Sequence, residues 1–365
     1  MKKILFFCNF PPPLTGQTIG SEIVFEMVSK NFPTIKFNFY DFDRSVTTSK
    51  INFKYLLHTI KKFYALWKFL KLNDVTHIYF VPSNSYLGHI RDLIFLNIFK
   101  PNHKIIGHIR SGDFNKVFHF RTTKYFNKFF SEKLYKIIFL SKALAEHSRK
   151  FISEDKIKII HNTIDKKIIP EVHLINKKLE DRILRQSMNV LFLSNIIKEK
   201  GLFDLLKALS LLDKNVQINL KIIGAPNKSI DLKRMQTNIK KYNLEQKTKY
   251  LGPISDRSLI QKIYMESDIF VLPTYYKTEA QPRSIIESLS CATPIIATDH
   301  AGIPEIFNNN SEGYIVPKRS PPEIAKCIKK LNDTNLWKVF AFNCRKRYEE
   351  RFSRNVIKDE LCGIF

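Results

Sequence analysis

The chain has 365 residues, 44% hydrophobic and 26% charged, an ordinary globular composition that is long for one core and suited to two. Sixty Lys and Arg against 34 Asp and Glu leave a formal charge of +26, heavier over the first 170 residues, which favours an anionic partner: nucleic acid, an acidic lipid surface or a phosphorylated substrate. No run approaches the ~18 uninterrupted apolar residues of a membrane-spanning helix, and five scattered cysteines (Cys8, Cys291, Cys327, Cys344, Cys362) without paired short spacing argue against a disulfide framework and a zinc site.

The first residues imitate a signal peptide, but the apolar run is short, stops at Pro11-Pro12-Pro13 and lacks a small-residue cleavage site. It is expected to be a first strand. Further runs rich in Ile, Val and Phe come at 78–81, 105–109, 137–140 and 157–160, and a second series at 190–193, 218–223, 269–272 and 295–297. Helix-like segments at 21–30, 142–151, 202–212 and 256–266 lie between such runs. Strand and helix in alternation predict α/β domains with parallel sheets and helices on both faces. The charged segment 171–188 separates the series and is the expected linker, giving domains at 1–170 and 189–345. The interruption favours two tandem open sheets over a barrel, with ligands at the carboxyl ends of the strands.

The loops at those carboxyl ends are therefore where the chemistry is expected. After the first strand a loop with Gly16 and Gly20 opens a helix, where backbone N–H groups can approach a phosphate, although it is not G-x-G-x-x-G. After 190–193, Lys200 and Gly201 lie just ahead of a helix, so the ammonium and the helix N-terminus can share an anion. After 269–272 comes Glu279-Ala280-Gln281-Pro282-Arg283-Ser284-Ile285-Ile286-Glu287. Pro282 suits the first helical position. Glu279 then falls in the loop, and Glu287 on the second turn, about 7 Å along the axis from Pro282. A diphosphate on the free N–H groups of the first turn would place an attached ribose at about that distance, where Glu287 could accept from two hydroxyls. The plain alternative is a solvent-facing glutamate on an amphipathic helix.

Glu279 and Glu287 form an E-x7-E spacing. Around it stand Leu251-Gly252-Pro253, Ser267-Asp268-Ile269-Phe270-Val271-Leu272-Pro273, Cys291-Ala292-Thr293-Pro294 and Gly302-Ile303-Pro304-Glu305. This ordered set resembles the retaining glycosyltransferases of the GT-B fold, family 4 or "group 1" type, which include many bacterial polysaccharide and glycolipid assembly enzymes. The first half resembles them more loosely, at 11–22, 140–142 and 161–165. The resemblance implies two tandem Rossmann-like domains facing each other across a cleft, the first for the acceptor and the second for a nucleotide-sugar, with a C-terminal helix at about 346–365 packing back on the first.

It further implies that Glu287 binds ribose and that Glu279 lies near the donor sugar. Lys200 would neutralise the diphosphate leaving group, which backbone N–H groups around Gln281, Arg283 and Ser284 would cradle, and Gly16 would let the first loop approach the donor. A family histidine pointing at the sugar aligns with either His108 or Arg110. Three departures stand out: Asn195 where arginine is usual, Ala280 and Ala292 where glycine is usual. The arginine's charge would then fall to Lys200 or Arg283, and an alanine at positive φ would be strained. Donor and acceptor would react with retention, by same-face attack and without a protein nucleophile. UDP is the leading nucleotide and GDP the second, and the expected setting is O-antigen or capsule synthesis on a lipid-linked acceptor. No cofactor or essential metal is expected; Asp41-Phe42-Asp43, which imitates the metal-binding D-x-D of the other large glycosyltransferase fold, is read as a charged loop.

Two basic, aromatic stretches complete the front half. Residues 53–72 carry five lysines and no acid, and residues 115–136 six basic residues and one acid. Such helices commonly lie in a membrane interface, which predicts a cytoplasmic protein held peripherally on the inner face of the cell membrane by its anionic surface. The alternative is core aromatics beneath a solvated lysine face. A nucleic-acid-binding protein is the rival class, but no helix-turn-helix, RNA-recognition sheet or zinc-finger motif supports it. An inactive GT-B scaffold and a GT-B epimerase are the remaining alternatives.

Overall fold

The computed structural model describes residues 2–12, 15–38, 53–119, 126–213 and 215–365. The chain divides into one unit of Met1–His161 with Ile357–Phe365 and a second of Asn162–Val356. Asp41 and Asp43 lie outside the described residues.

Unit 1 runs β1 (Ile4–Cys8), α1 (Gly16–Val28), β2 (Thr34–Asn38), α2 (Phe53–Leu72), β3 (His77–Phe80), α3 (Tyr86–Leu96), β4 (Lys104–Ile109), α4 (Phe126–Lys133), β5 (Lys136–Phe139), α5 (Lys142–Glu146) and β6 (Ile157–Ile159). Its strands form one parallel sheet in the order β2-β1-β3-β4-β5-β6. All five residues of β1 are buried, because a central parallel strand is covered on both faces and reads as a continuous apolar run. On one face Phe6 meets Phe25 of α1 and Tyr79 of β3. On the other Phe7 meets Phe80, Phe95 and Phe99, so the abundant phenylalanine fills both layers. Ile357, Leu361 and Phe365 join the α1-side core.

Unit 2 contains α6 (Val172–Ile183), β7 (Met188–Leu193), α7 (Leu202–Ser210), β8 (Ile218–Ile223), α8 (Ser229–Lys241), β9 (Thr248–Tyr250), α9 (Arg257–Met265), β10 (Ile269–Leu272), α10 (Arg283–Ser290), β11 (Ile295–Thr298), β12 (Gly313–Val316), α11 (Pro321–Leu331) and α12 (Thr334–Arg351). Then α13 (Arg354–Cys362) leads back into unit 1. The parallel sheet has the order β12-β11-β10-β7-β8-β9. Each unit is thus an open, Rossmann-like parallel sheet flanked by helices.

The boundary at 161/162 precedes the expected linker, and most of 171–188 is the helix α6. Its charge suggests solvation, yet Lys178 is 4% and Arg182 1% exposed. Lys178 Nζ donates to Tyr264 O at 3.0 Å, Cys291 O at 2.8 Å and Thr293 Oγ1 at 2.5 Å. Arg182 lies 3.6 Å from Asp268 and over the Trp337 ring. Carbonyls and a hydroxyl serve Lys178, and a carboxylate and an indole face Arg182, so a charged segment packs as a core helix.

Candidate active site

The richest cluster lies after the carboxyl ends of β7 and β10, in unit 2. After β7, residues Lys198–Lys200 make a 3-10 turn and Gly201 enters α7 at φ 83°. A Cβ at Gly201 would stand 2.3 Å from Pro273 O, so only glycine lets the two loops approach. The approach is stitched by Tyr275 N donating to Glu199 O at 2.7 Å. It sets Lys200 Nζ 2.6 Å from Glu279 Oε2, with the side chains 15% and 10% exposed. The Thr274 hydroxyl lies 3.3 Å from the same carboxylate oxygen, and the ammonium sits 4.8 Å from the centre of the Tyr276 ring. The expected phosphate cation and the first motif glutamate are thus one nearly dry ion pair.

Helix α10 begins at Arg283 with Pro282 as the flanking cap residue, one position later than the proline suggested. Pro282 has ψ 120°, extended rather than helical. Glu287 does sit on the second turn, but it does not face solvent: it is 3% exposed. Its Oε1 accepts from Arg257 Nη2, and its Oε2 lies 3.4 Å from the Tyr264 hydroxyl, which donates to Ser284 O at 2.8 Å. The carboxylate beside Arg257 raises the pKa of the guanidinium, against the opposing effect of burial.

The rest of the expected donor set splits. Gln281 Oε1 accepts from Asn162 N at 2.6 Å, and Gln281 O from Asn162 Nδ2 at 2.9 Å. Arg283 donates to Asn162 Oδ1 at 2.8 Å and Thr163 O at 3.3 Å. Both side chains therefore hold the 162–163 segment in this structure. Asn195 is exposed just beyond the end of β7. Ser284 is half-buried in the first turn of α10.

In unit 1, Gly16 is the exposed first residue of α1, whose N-terminus is closed by a Thr15–Thr18 capping box. His108 and Arg110, two residues apart, share one sheet face and one partner. The Tyr79 hydroxyl lies 2.7 Å from His108 Nδ1 and accepts from Arg110 Nη2 at 2.7 Å, while Nη2 also donates to Gly20 O at 3.0 Å. His108 is 2% exposed within β4. Arg110 stands just past the strand's carboxyl end and is half-buried, so it holds the rim and the histidine lies beneath.

Arg257, Tyr264, Thr274 and Tyr276 are site residues that sequence reasoning misses. Arg257 lies thirty positions before its partner and reads as a surface arginine at a helix start. Only the docking of α9 against α10 reveals it. Among the described residues no group of three or more His, Cys, Asp or Glu side chains gathers as metal ligands, and no helix is long and apolar enough to cross a membrane.

Two Rossmann-like parallel sheets in one chain, with this cluster beyond the strand ends of the second, define the GT-B fold. Solved structures share it: a glycosyltransferase from Rickettsia africae is 18% identical with a TM-score of 0.72, covering 98% of this chain and 96% of that one. Alr3699/HepE of Anabaena, solved in complex with UDP, is 18% identical with a TM-score of 0.75, covering 100% and 99%. Residues 177–351, which lie within unit 2, match the family Glycosyl transferases group 1. The capsular polysaccharide biosynthesis glycosyltransferase CapM of Staphylococcus aureus is 29% identical over 199 residues, 53% of this chain and 50% of CapM. The amylovoran biosynthesis glycosyltransferase AmsK of Erwinia amylovora is 25% identical over 200 residues, 53% of this chain and 48% of AmsK. The chain thus spans about half the length of these relatives.

Proposed function

We propose that the protein is a retaining glycosyltransferase that moves a sugar from a UDP-sugar to a lipid-linked saccharide acceptor during bacterial surface-polysaccharide assembly, at the cytoplasmic face of the cell membrane. The observation that carries the reading is the Lys200–Glu279 pair at the carboxyl ends of β7 and β10, with Glu287 eight residues further on, inside the matched group 1 domain. The setting is supported by CapM and AmsK, and UDP by the Anabaena protein.

Cleavage of the sugar–phosphate bond builds negative charge on the departing diphosphate and positive charge on the ring. Lys200 meets the first charge, and a preorganised cation in a nearly dry site is worth more than one in water. Glu279 holds that ammonium in place before the donor arrives and lies near the ring once it shares the ammonium. Glu287 accepts from the ribose through Oε2, since Oε1 is held by Arg257. Attack comes from the face the leaving group departs, with no protein nucleophile, and no metal is required.

Thermal stabilisation of the full chain by UDP, GDP, ADP, CMP and NAD, beside a short oligonucleotide, tests the reading. The expected result is a selective shift with UDP that is reduced by Glu287→Gln. No shift with any nucleotide would overturn it; a salt-dependent shift with the oligonucleotide alone would favour the nucleic-acid alternative.

A further inference from the structure

The two basic, aromatic stretches part company in the structure. In the second, Val117, Phe118, Phe130 and Leu134 are at most 1% exposed, so these four are core. Helix α2 is different. Its inner face is closed by Leu66 and Leu70, 0% and 6% exposed. Its outer face is also apolar: Leu56 is 49% exposed, Leu57 43%, Ile60 56%, Tyr64 61% and Trp67 41%. At 100° per residue these five fall within an arc of roughly 100° along about 17 Å of helix. A solvated surface helix carries polar residues there.

The charges around the stripe choose its occupant. Lys61 and Lys68 border it and are exposed, and Lys71 lies within it with Nζ 3.7 Å from the centre of the Trp67 ring. The Tyr64 and Trp67 rings stack at 5.9 Å. Lys62 is turned inward and donates to Asn38 O at 3.1 Å. The helix has no acidic residue, so a second copy docked on this face would oppose lysines with lysines. Leucine and isoleucine beside the two rings supply apolar burial that a phosphate backbone does not use. A bilayer with anionic headgroups meets both features, since an amphipathic helix sinks its apolar face to the headgroup boundary while its lysines stay among the lipid phosphates.

We infer that α2 is a membrane-docking helix, lying in the plane of an anionic bilayer with Leu56, Ile60, Tyr64 and Trp67 inserted and Lys61, Lys68 and Lys71 at headgroup level. This deepens the membrane placement in the proposed function by naming the helix that makes the contact, and it is independent of the donor site. The full chain is floated with vesicles of phosphatidylcholine alone and of phosphatidylcholine with phosphatidylglycerol, and the tryptophan emission is recorded. Only Trp67 and Trp337 are present, and Trp337 is fully buried, so a vesicle-induced blue shift reports Trp67.

The expected result is binding to the anionic vesicles with a blue shift. Ile60→Ser/Trp67→Ser should weaken it by about tenfold or more, and Lys61→Gln/Lys68→Gln/Lys71→Gln by roughly tenfold or more at low salt, with Tm unchanged because every substituted side chain is exposed. Failure of the wild type to bind anionic vesicles, or undiminished binding by the Ile60/Trp67 variant, overturns the inference. So does a wild-type dimer that the same variant dissolves, or oligonucleotide binding in place of lipid binding. UDP-induced stabilisation, measured on the same preparations, separates the readings: UDP binding without vesicle binding defeats the docking helix and the membrane placement but leaves the donor site, and the reverse defeats only the donor site.

Discussion

At the residue scale the site is two ion pairs, each joining a motif glutamate to a cation from another element. Lys200→Ala should weaken UDP binding by roughly 10- to 100-fold, the range for a charge-assisted hydrogen bond; titration calorimetry measures it. Glu287→Gln should cost about 1–3 kcal/mol of stability in denaturant unfolding, because it leaves Arg257 mostly buried without its counter-charge. Arg257→Gln/Glu287→Gln should recover part of that loss. The two alanines at glycine positions resolve differently. Ala280 does not have a positive φ, whereas Ala292 sits at φ 49° and is fully buried. Replacing Ala292 by glycine relieves roughly 1–2 kcal/mol of left-handed strain, but forfeits about 0.8 for a buried methyl and roughly 0.5–1 in chain entropy. The restored glycine should therefore change stability by less than about 1 kcal/mol in the same measurement.

At the element scale, α6 braces the site from behind. Lys178 reaches Tyr264 O beside the end of α9 and Cys291 O at the end of α10, the two helices that carry Arg257 and Glu287. Burial pulls its pKa down to about 8, so it is charged at neutral pH and bonds both helix ends as a cation. Lys178→Met keeps the length but strands buried acceptors, and should cost roughly 2–4 kcal/mol in unfolding free energy. Loosened α9 and α10 should weaken nucleotide binding as well. The elements also show what the sequence makes legible. Central strands such as β1, β4, β7 and β10 announce themselves, because burial on both faces demands an unbroken apolar run. The edge strands β9 and β12 do not: β9 is Thr-Lys-Tyr, and β12 is only four residues beginning with glycine. The same logic divides the site. Lys200, Glu279 and Glu287 are readable from spacing within single loops, while Arg257 and the Lys178 brace depend on helices meeting in space. Asn162's hold on Gln281 spans 119 residues, beyond any local pattern.

At the scale of the whole molecule, acid should act on unit 1 first. Burial lowers the pKa of His77 from 6.5 to about 4 and also lowers those of His89 and His103, and all three lie in unit 1. Below pH 6.5 the unfolded chain binds more protons than the folded one, so their stabilisation is complete above pH 6.5 and is lost as the pH falls towards 4. Amide hydrogen exchange at pH 5 against pH 7, corrected for intrinsic rates, should show protection falling in β3 and β4 before it falls in β7 and β10. Simultaneous loss in both sheets would show that these histidines do not control the acid response. The return of residues 357–365 to the first unit has a further consequence, in the order of synthesis. Residues 162–356 leave the ribosome as one uninterrupted stretch and can close their core at once. The first unit must wait for Ile357, Leu361 and Phe365, although most of its chain was made first. Until they arrive, the apolar side of its sheet facing α1 lacks part of its cover. Of the two units, the one begun first is therefore completed second, and nascent chains halted before residue 357 should be held by chaperones longer than chains halted after residue 365.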